Sequence, residues 1–409
     1  MPDIYSPQVY ATGVPYDVYA KMRVEEPVSW QDEPELPTSP SGSGFWAVMR
    51  HRDVRFVCRN PAVYSASLGG TQLRDPDPAD LPYLRSMLLN MDPPEHNKYR
   101  KVISRTFSPA SLAKFDEFVG DRVATLLERL RERETCDVVT ELTDDVSLST
   151  LTHVLGVPPG DRKFFFDWAN RIIGYHDDDY TRLDGPAALV DRRRPSELTD
   201  MIEYARSLAE YRRRNPGDDL LSMLVHTDVE GRGLTDSQFE NFFFLLAVAG
   251  NDTTRSALPG ALIALMEHPD QYALLRAEPK LIDSAVEECL RYAPPVIHFR
   301  RTAVVDTVLG GVALSAGDKV VVFYPSANRD QGVFDAPDAF DIRRASNPHV
   351  TFGYGPHICV AAALARIQMR HVLGGITRAF TTVRPAGPAD RLLSNFVVGI
   401  KHLPIALGT

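Results

Sequence analysis

The sequence predicts a mainly helical α+β protein with small β-sheets, folded as a single domain over residues 1–409 around a long central helix. Three observations support this prediction. Apolar residues recur at helical spacing through the middle of the chain, whereas strand-like runs are few and lie near its two ends. Neither a Gly/Ser linker nor an internal repeat divides the chain. One segment, 235–267, is helical in pattern for about 48 Å, which is enough to cross the whole molecule.

Helical periodicity predicts eight helices, at 94–107, 111–132, 138–156, 160–173, 197–214, 235–267, 279–293 and 360–380. Strands are predicted at 28–31, 45–50, 303–309 and 319–324, and the last two flank GGVALSAGD, a turn-rich segment typical of a meander. The segments 64–90 and 174–196 lack periodicity and are predicted to be mobile lids. An ordinary solvated insertion explains the acidic run 177–179 equally well.

Composition excludes several classes of protein. The formal net charge of −9 argues against general affinity for nucleic acid or for anionic membranes. The N-terminus has no signal-peptide pattern, and no run of 18 apolar residues predicts a membrane span. None of the four cysteines forms a C-x-x-C pair, so zinc knuckles and cysteine-ligated iron–sulfur clusters lack their ligand spacing. A cytoplasmic protein is expected.

Cys359 stands in FGYGPHICVAAALAR, behind a glycine-rich turn and at the start of a predicted helix. Gly353 and Gly355 allow the chain to turn sharply, and the positive end of a helix favours a thiolate over a thiol. With apolar Phe352 and Ile358 beside it, the thiolate is suited to a metal. A buried structural cysteine and a nucleophile with His357 as its base are the alternatives that the loop alone leaves open.

The long helix carries a second motif, AVAGNDTTRSA, after a capping box formed by Thr235 and Gln238. Gly250 and Thr253 are poor helix formers, and a Thr hydroxyl can bond the carbonyl four residues earlier, here that of Ala249. We expect a notch in the helix at this point. Asp252 next to Thr253 combines an ionisable group with a hydroxyl, which is suited to a proton relay, although an ordinary helix irregularity fits the isolated motif better.

Three motifs together resemble the cytochrome P-450 family, from Asp17 to His402 of this chain. They are F-G-x-G-x-H-x-C at 352–359, the G-x-D-T-T run at 250–254, and E-x-x-R, filled by Glu288 and Arg291. The resemblance implies the fold of that family, haem b as cofactor and Cys359 as its proximal iron ligand. One departure is Ala361, where the family usually has glycine, so the packing of haem on the helix is expected to differ by a methyl group.

The resemblance also implies roles for other residues. Asp252 and Thr253 would be the catalytic acid–alcohol pair, and Glu288, Arg291 and Arg344 a buried structural cluster. The residues implied in haem binding are Cys359, His96, Arg100, Arg301, His357, Phe352, Ala249 and Gly250, of which His96, Arg100, Arg301 and His357 match positions that bind the propionates. The implied substrate pocket consists of Leu88, Ile173, Val248, Ala249, Pro295, Val296 and Phe396.

The implied activity is that of a monooxygenase, which inserts one oxygen atom of O₂ into a lipophilic molecule such as a steroid, terpenoid, fatty acid or polyketide. Several runs are similar to those of members that hydroxylate steroid side chains and methyl-branched lipids. No flavin or nicotinamide fingerprint is present, so electrons are expected from a ferredoxin and its ferredoxin reductase. We expect a monomer whose ferredoxin site includes five basic residues: Lys98, Lys101, Arg105, Arg366 and Arg370. Simple solubility also explains these charges.

Three other functions stay open at this stage. One is a haem-thiolate enzyme of secondary metabolism that catalyses oxidative coupling, cyclisation or nitration. Another is a binding or sensor protein without turnover, which the Asp252–Thr253 pair disfavours. The third is a cysteine hydrolase.

Overall fold

Helices dominate the computed structural model, which describes residues 2–37, 39–174, 176–177, 179, 198–229 and 232–408. In chain order the α-helices are α1 (Tyr16–Glu25), α2 (His51–Arg59), α3 (Leu81–Arg85), α4 (Glu95–Ser104), α5 (Pro109–Leu130), α6 (Asp144–Leu155), α7 (Arg162–Ile173), α8 (Thr199–Arg214), α9 (Leu220–Val225), α10 (Asp236–Glu267), α11 (Pro269–Ala277), α12 (Ile282–Tyr292), α13 (Tyr324–Ala327) and α14 (Ala362–Ala379). Among these residues, no helix combines the length and the apolar character that crossing a bilayer requires.

The strands form small sheets, as predicted. They are β1 (Val28–Gln31), β2 (Phe45–Val48), β3 (Tyr64–Ser65), β4 (Thr135–Asp137), β5 (Asp228–Val229), β6 (Arg232–Gly233), β7 (His298–Ala303), β8 (Thr307–Leu309), β9 (Val312–Leu314), β10 (Lys319–Phe323), β11 (Thr382–Pro385), β12 (Asp390–Arg391), β13 (Ile400–His402) and β14 (Pro404–Gly408). The largest sheet has the order β1-β2-β10-β7-β3 and therefore joins the two ends of the chain.

All eight predicted helices are present, and the mainly α fold with small sheets is confirmed. The segment 138–156 begins with a π-helical turn, Val139–Thr143, before α6. The predicted strand 303–309 is wrong in its centre. Residues 304–306 are not in a strand, because β7 ends at Ala303 and the chain turns before the β8–β9 hairpin. Hydrophobic periodicity missed six helices of ten residues or fewer, which are α1, α2, α3, α9, α11 and α13.

The central helix α10 has 32 residues and the predicted capping box. Two apolar clusters pack on different parts of it. The cluster around α4, α7, α8 and α9 contacts the helix up to Ala247, and the cluster around α5, α12 and α14 contacts it from Ala257 onward. The middle of α10 between these clusters is therefore left to face cavities.

The two loops predicted as lids differ in how far the structure describes them. The segment 64–90 contains β3, α3 and a short 3₁₀ turn, Leu88–Asn90. Most of 174–196 lies outside the described residues. Asp177 is nevertheless described, is only 4% exposed and lies 3.3 Å from Lys401 Nζ. The solvated-insertion interpretation is therefore wrong for Asp177, because an ion pair offsets its burial.

Glu288 and Arg291 form a fully buried ion pair on α12, with Arg291 nitrogens 2.7 and 2.8 Å from the carboxylate oxygens. Arg344 Nε donates to the same carboxylate at 3.1 Å, and Asn347 donates at 3.0 Å. The remaining Arg291 N–H groups donate to backbone carbonyls, including that of Pro337 at 2.6 Å. This saturated cluster fixes the segment before the cysteine loop against α12.

We expect Glu288→Gln to lower the free energy of unfolding by about 3–5 kcal/mol, because it leaves two arginines buried without their anion. Glu278→Gln is the matched control. Glu278 pairs with Arg343 near the surface, and its loss should cost about 1 kcal/mol or less. Urea unfolding followed by circular dichroism measures both, and equal effects would contradict the scaffold role.

Candidate active site

The loop before Cys359 depends on two glycines in the left-handed region, Gly353 at φ 75° and Gly355 at φ 73°. A Cβ at Gly355 would lie 2.4 Å from the carbonyl oxygen of Cys58, so only glycine fits there. The Cys359 N–H donates to the Phe352 carbonyl at 2.8 Å and closes the loop. The sequence therefore folds into a tight turn that presents Cys359 two residues before the N-terminal cap of α14.

Cys359 differs from the other three cysteines, which are buried. Its accessible surface faces an internal cavity, while protein surrounds the sulfur on its other sides. Burial raises the pKa of the Cys359 thiol, although the Ala361 N–H and the Arg100 and Arg366 guanidinium groups act against this. The helix N-terminus alone thus does not produce the expected thiolate. A metal cation bound to the sulfur would deprotonate it.

The cavity in front of Cys359 has a volume of about 1710 Å³, including the part that opens to solvent. Its lining is mainly apolar and comes from α4, α6, α10, α14, the strand β7 and the cysteine loop. The predicted residues that line it are Leu88, His96, Arg100, Ala249, Gly250, Thr253, Pro295, Val296, Arg301, Phe352, His357 and Cys359. Ala361 also lines it.

Four basic side chains meet at one side of this cavity. The rings of His96 and His357 lie 4.3 Å apart between their centroids, and Arg100 and Arg301 line the same wall. No described carboxylate pairs with either arginine. Burial, helped by the charges of Arg301, His96 and Arg100, lowers the pKa of His357 to about 2. Such a cluster of cations and ring donors without an anion is suited to binding acidic groups.

His357 is therefore a poor general base for Cys359. Its Nε2 atom is buried without a hydrogen-bond partner, and no hydrogen bond joins its ring to the sulfur in the described structure. A protonated imidazole, which a cysteine hydrolase needs in its ion pair, is disfavoured by burial and by the neighbouring Arg301 and Arg100 guanidinium groups. The interpretation of Cys359 as a nucleophile therefore lacks the base that it requires.

The middle of α10 crosses the cavity opposite the cysteine loop. Thr253 Oγ1 donates to the Ala249 carbonyl at 2.9 Å, as the sequence indicated. The helix is continuous there, so no backbone break accompanies the bond. A Cβ on Gly250 would lie 2.7 Å from Leu151 Cδ1, which shows that the expected notch is filled by the Leu151 side chain from α6.

Asp252 does not face this cavity, although Thr253 does. It lines a second cavity of about 320 Å³, including the part that opens to solvent, on the other side of α10, together with residues of α7, β13 and the segment before β13. Asp252 is 6% exposed, and its Oδ2 atom has no hydrogen-bond partner. Burial raises its pKa to about 7, against the lowering effect of Arg255, whose Nη1 lies 3.8 Å from Oδ1.

Three predicted pocket residues are placed differently from the rest. Val248 lies outside the cavity lining and packs in an apolar cluster, because it is rotated about 100° along the helix from Ala249. Phe396 also lies outside the lining, behind Phe299, with their ring centroids 5.4 Å apart. Ile173 ends α7, but its side chain lies outside what the structure describes.

Of the five basic residues expected on the partner surface, three pair with acidic side chains and two are exposed at the end of α4. Arg366 pairs with Glu287 at 2.5 and 2.7 Å and lies over the Phe352 ring, and Arg370 pairs with Asp283 at 2.9 Å. Lys98 lies 3.2 Å from Glu95. Lys101 and Arg105 are exposed at the end of α4.

Sequence reasoning missed Leu151 and Arg255. Leu151 carries no motif, so no sequence signal could have identified it. Arg255 follows Asp252 by three residues in NDTTR, a spacing that places both on one helix face and could have been noticed.

Comparison with known proteins agrees with these observations. The sequence model of the family Cytochrome P450 matches residues 193–406. The chain is 35% identical to linalool 8-monooxygenase of Pseudomonas putida, over 99% of this chain and 98% of that protein. It is 36% identical to steroid C26-monooxygenase of Rhodococcus jostii strain RHA1, over 98% and 84%. The solved structure of Mycobacterium marinum cytochrome P450 CYP268A2 in complex with pseudoionone has 35% identity and a TM-score of 0.88, over 99% and 98%.

The chain therefore belongs to the cytochrome P450 family. It is a P450 monooxygenase that uses haem as its cofactor and O₂ as a co-substrate. The observed site fits this cofactor. The cavity holds an accessible sulfur, apolar walls for a flat macrocycle and an unpaired cationic cluster for two propionates, including the partnerless Nε2 of His357.

We expect Arg301→Gln to lower the haem content of the purified protein, because it removes a cation from the cluster at the cavity wall. Arg300→Gln is the matched control. Arg300 lies on the same strand and is equally buried, but it pairs with Asp75 at 2.7 Å. Pyridine haemochrome assay of both variants measures haem per chain. Equal losses would show that burial on β7, and not the cationic cluster, decides haem retention.

Proposed function

We propose that this protein hydroxylates a lipophilic substrate, a terpenoid, a steroid or a methyl-branched lipid, at a carbon near one end of its skeleton. Overall, one oxygen atom of O₂ enters a C–H bond and the other leaves as water, with two electrons and two protons consumed. Bound haem supplies the redox chemistry of O₂. Cys359 would ligate its iron, and this assignment rests on one observation: an accessible cysteine sulfur shares a large apolar cavity with two arginines and two histidines that no described carboxylate neutralises.

The other site residues would each have one task in this proposal. His96, Arg100, Arg301 and His357 would hold the two propionates. Thr253, which lines the cavity, would pass protons at its hydroxyl, and Asp252 would supply them from the other side of α10. Phe352, Ala249 and Gly250 would contact the macrocycle. Glu288, Arg291 and Arg344 would take no part in the reaction and would hold the loop in place.

Two observations support the substrate class. The cavity wall that faces Thr253 is apolar, with contributions from Leu88, Leu245, Val296 and Phe299. Such a wall binds hydrocarbon and offers no charge to orient a polar group. The relatives include linalool 8-monooxygenase, steroid C26-monooxygenase and a methyl-branched lipid omega-hydroxylase of Mycobacterium tuberculosis, and an omega-hydroxylase acts at the end of a chain.

The ligation proposal predicts the spectrum of the reduced protein under carbon monoxide. The native protein should show the red-displaced Soret band of thiolate ligation, and Cys359→Ser should lose it while keeping its fold by circular dichroism. Cys58→Ser is a matched control, because Cys58 contacts the same loop but is buried. A band that persists in Cys359→Ser would sink the proposal.

A panel of acyclic terpenoids, steroids, methyl-branched fatty acids and linear fatty acids tests the substrate class. Branched, non-polar compounds should shift the haem spectrum at the lowest concentrations. Product analysis with labelled O₂ then separates hydroxylation from coupling, cyclisation or nitration. Binding confined to polar compounds would exclude the proposed class.

We also propose that a ferredoxin, reduced by its reductase, supplies the electrons to a monomeric, single-domain protein in the cytoplasm. Helix α4 supports a docking site, because Arg100 and Ile103 line the cavity from one face while Lys101 and Arg105 are exposed. Arg366 and Arg370 are already neutralised by acidic partners, so we omit them from the site. The sheet that joins both ends of the chain supports the single domain.

Reversing the charges of Lys101 and Arg105 to Glu should slow reduction by an acidic ferredoxin about tenfold or more at low salt, and leave substrate affinity unchanged. Lys21→Glu on α1, a helix that lines no part of the cavity, should have no effect. Stopped-flow reduction under carbon monoxide gives the rate. An unchanged rate in the double variant would place the partner elsewhere.

A further inference from the structure

Helix α10 separates two cavities, and the adjacent residues Asp252 and Thr253 open to different ones. The second cavity is lined by Asp252, Arg255 and Ser256 of α10, Asn170 of α7 and Lys401 of β13. Its lining thus contains a carboxyl group, a guanidinium and an amine, whereas the large cavity is mainly apolar. Protons that reach Asp252 must come from this polar side.

Arg255 interacts with three described side chains around this cavity. Its Nε donates to Asp144 Oδ1 at 2.7 Å and its Nη1 donates to Asn170 Oδ1 at 2.7 Å. Asp252 Oδ1 lies 3.8 Å from Nη1, which is beyond a hydrogen bond but within the range of strong charge attraction. The guanidinium also lies 4.6 Å over the Phe166 ring, which fixes its plane.

Arg255 therefore donates hydrogen bonds to Asp144 and Asn170, whereas it acts on Asp252 only by electrostatic attraction. The structural Arg291, by contrast, donates to both oxygens of its carboxylate partner. Here Asp252 Oδ2 is buried with no partner at all. The carboxyl group of Asp252 therefore lies near a cation, while its Oδ2 atom is available to gain and lose a proton.

We propose that Arg255 is a positioning residue for proton delivery, held away from Asp252 by Asp144 and Asn170 so that Asp252 exchanges protons with the second cavity. This rests on the relay role of Asp252 given under Proposed function. In each transfer, Asp252 as the neutral acid gives one proton towards the Thr253 side and becomes a carboxylate. It then takes one proton from water in the second cavity, and charge and protons balance.

The pKa of Asp252 is set by opposing effects of burial and of the neighbouring charges. Arg255 lowers the pKa of Asp252, while burial and the negative charge of Asp144 raise it, and the result is about 7. Lys401 lines the same cavity. Its charge is offset by three carboxylates within ion-pair distance, those of Asp177, Asp179 and Asp390.

Two substitutions should shift Asp252 in opposite directions. Arg255→Gln removes the cation and should raise the pKa of Asp252 by about one unit or more. Asp144→Asn removes a negative charge and releases Arg255 towards Asp252, so the pKa should fall by a similar amount. Asp145→Asn is the matched control. It is the next residue on α6 and pairs with Arg122 of α5, away from Asp252.

Two readouts follow these variants in the haem-loaded protein. The infrared carboxyl band that disappears in Asp252→Asn titrates Asp252 directly and needs no turnover. The pH profile of coupling, product formed per electron pair, reports proton delivery during the reaction. Arg255→Gln should move the midpoints of the infrared titration and of the coupling profile to higher pH. Asp144→Asn should move both midpoints to lower pH, and Asp145→Asn should leave both unchanged.

The outcomes separate the possibilities. Opposite shifts in both readouts, with Arg255→Lys restoring most of the native profile, support the proposal. Shifts in one common direction, or none, overturn it and leave Arg255 a structural residue. Opposite infrared shifts with an unchanged coupling profile also overturn the proposal. An intact carbon monoxide spectrum in the same samples then shows that the haem-thiolate assignment itself has not failed.

Discussion

The geometry of one α-helix constrains this active site. Successive residues of a helix are rotated by about 100°, so two neighbours can face different sides of the helix. In α10 this rotation points Thr253 into the large cavity and Asp252 into the second one, whose lining includes Arg255 and Lys401. Because the two apolar clusters pack against α10 on either side of this stretch, the helix is held as a wall between the two cavities.

The electrostatics of the large cavity complement the cofactor of the family. Burial without an anion leaves Arg100 and Arg301 with unbalanced charge and keeps His357 neutral. On the other side, the burial of Cys359 disfavours its thiolate until a cation is bound. Haem provides both missing partners, an iron cation and two carboxylates. The buried, unbalanced charges therefore raise the free energy of the protein without its cofactor, and binding of the cofactor removes this cost.

The buried Glu288–Arg291 pair and two polar atoms of the cavity walls differ in how far their hydrogen bonds are satisfied. Arg291 and Glu288 have a partner for every group and no access to a cavity. By contrast, His357 Nε2 and Asp252 Oδ2 have none, and both belong to cavity walls. An unsatisfied buried polar atom raises the free energy of the folded chain, and at a cavity wall a bound group can supply the missing partner.

The sequence by itself determined eight of the helices, among them the long central helix with its cap, and the cysteine loop, because these depend on local spacing, on glycine and on capping residues. It also determined the acidic and basic residue types of the site through their motifs. Only the tertiary structure decided that Leu151 fills the space beside Gly250, that Val248 and Phe396 lie outside the cavity lining, and that Arg255 is divided between Asp144 and Asn170. The physical reason is that such contacts join α10 to α6 and α7, and the packing of distant segments, unlike helical periodicity, leaves no regular trace in the order of residues.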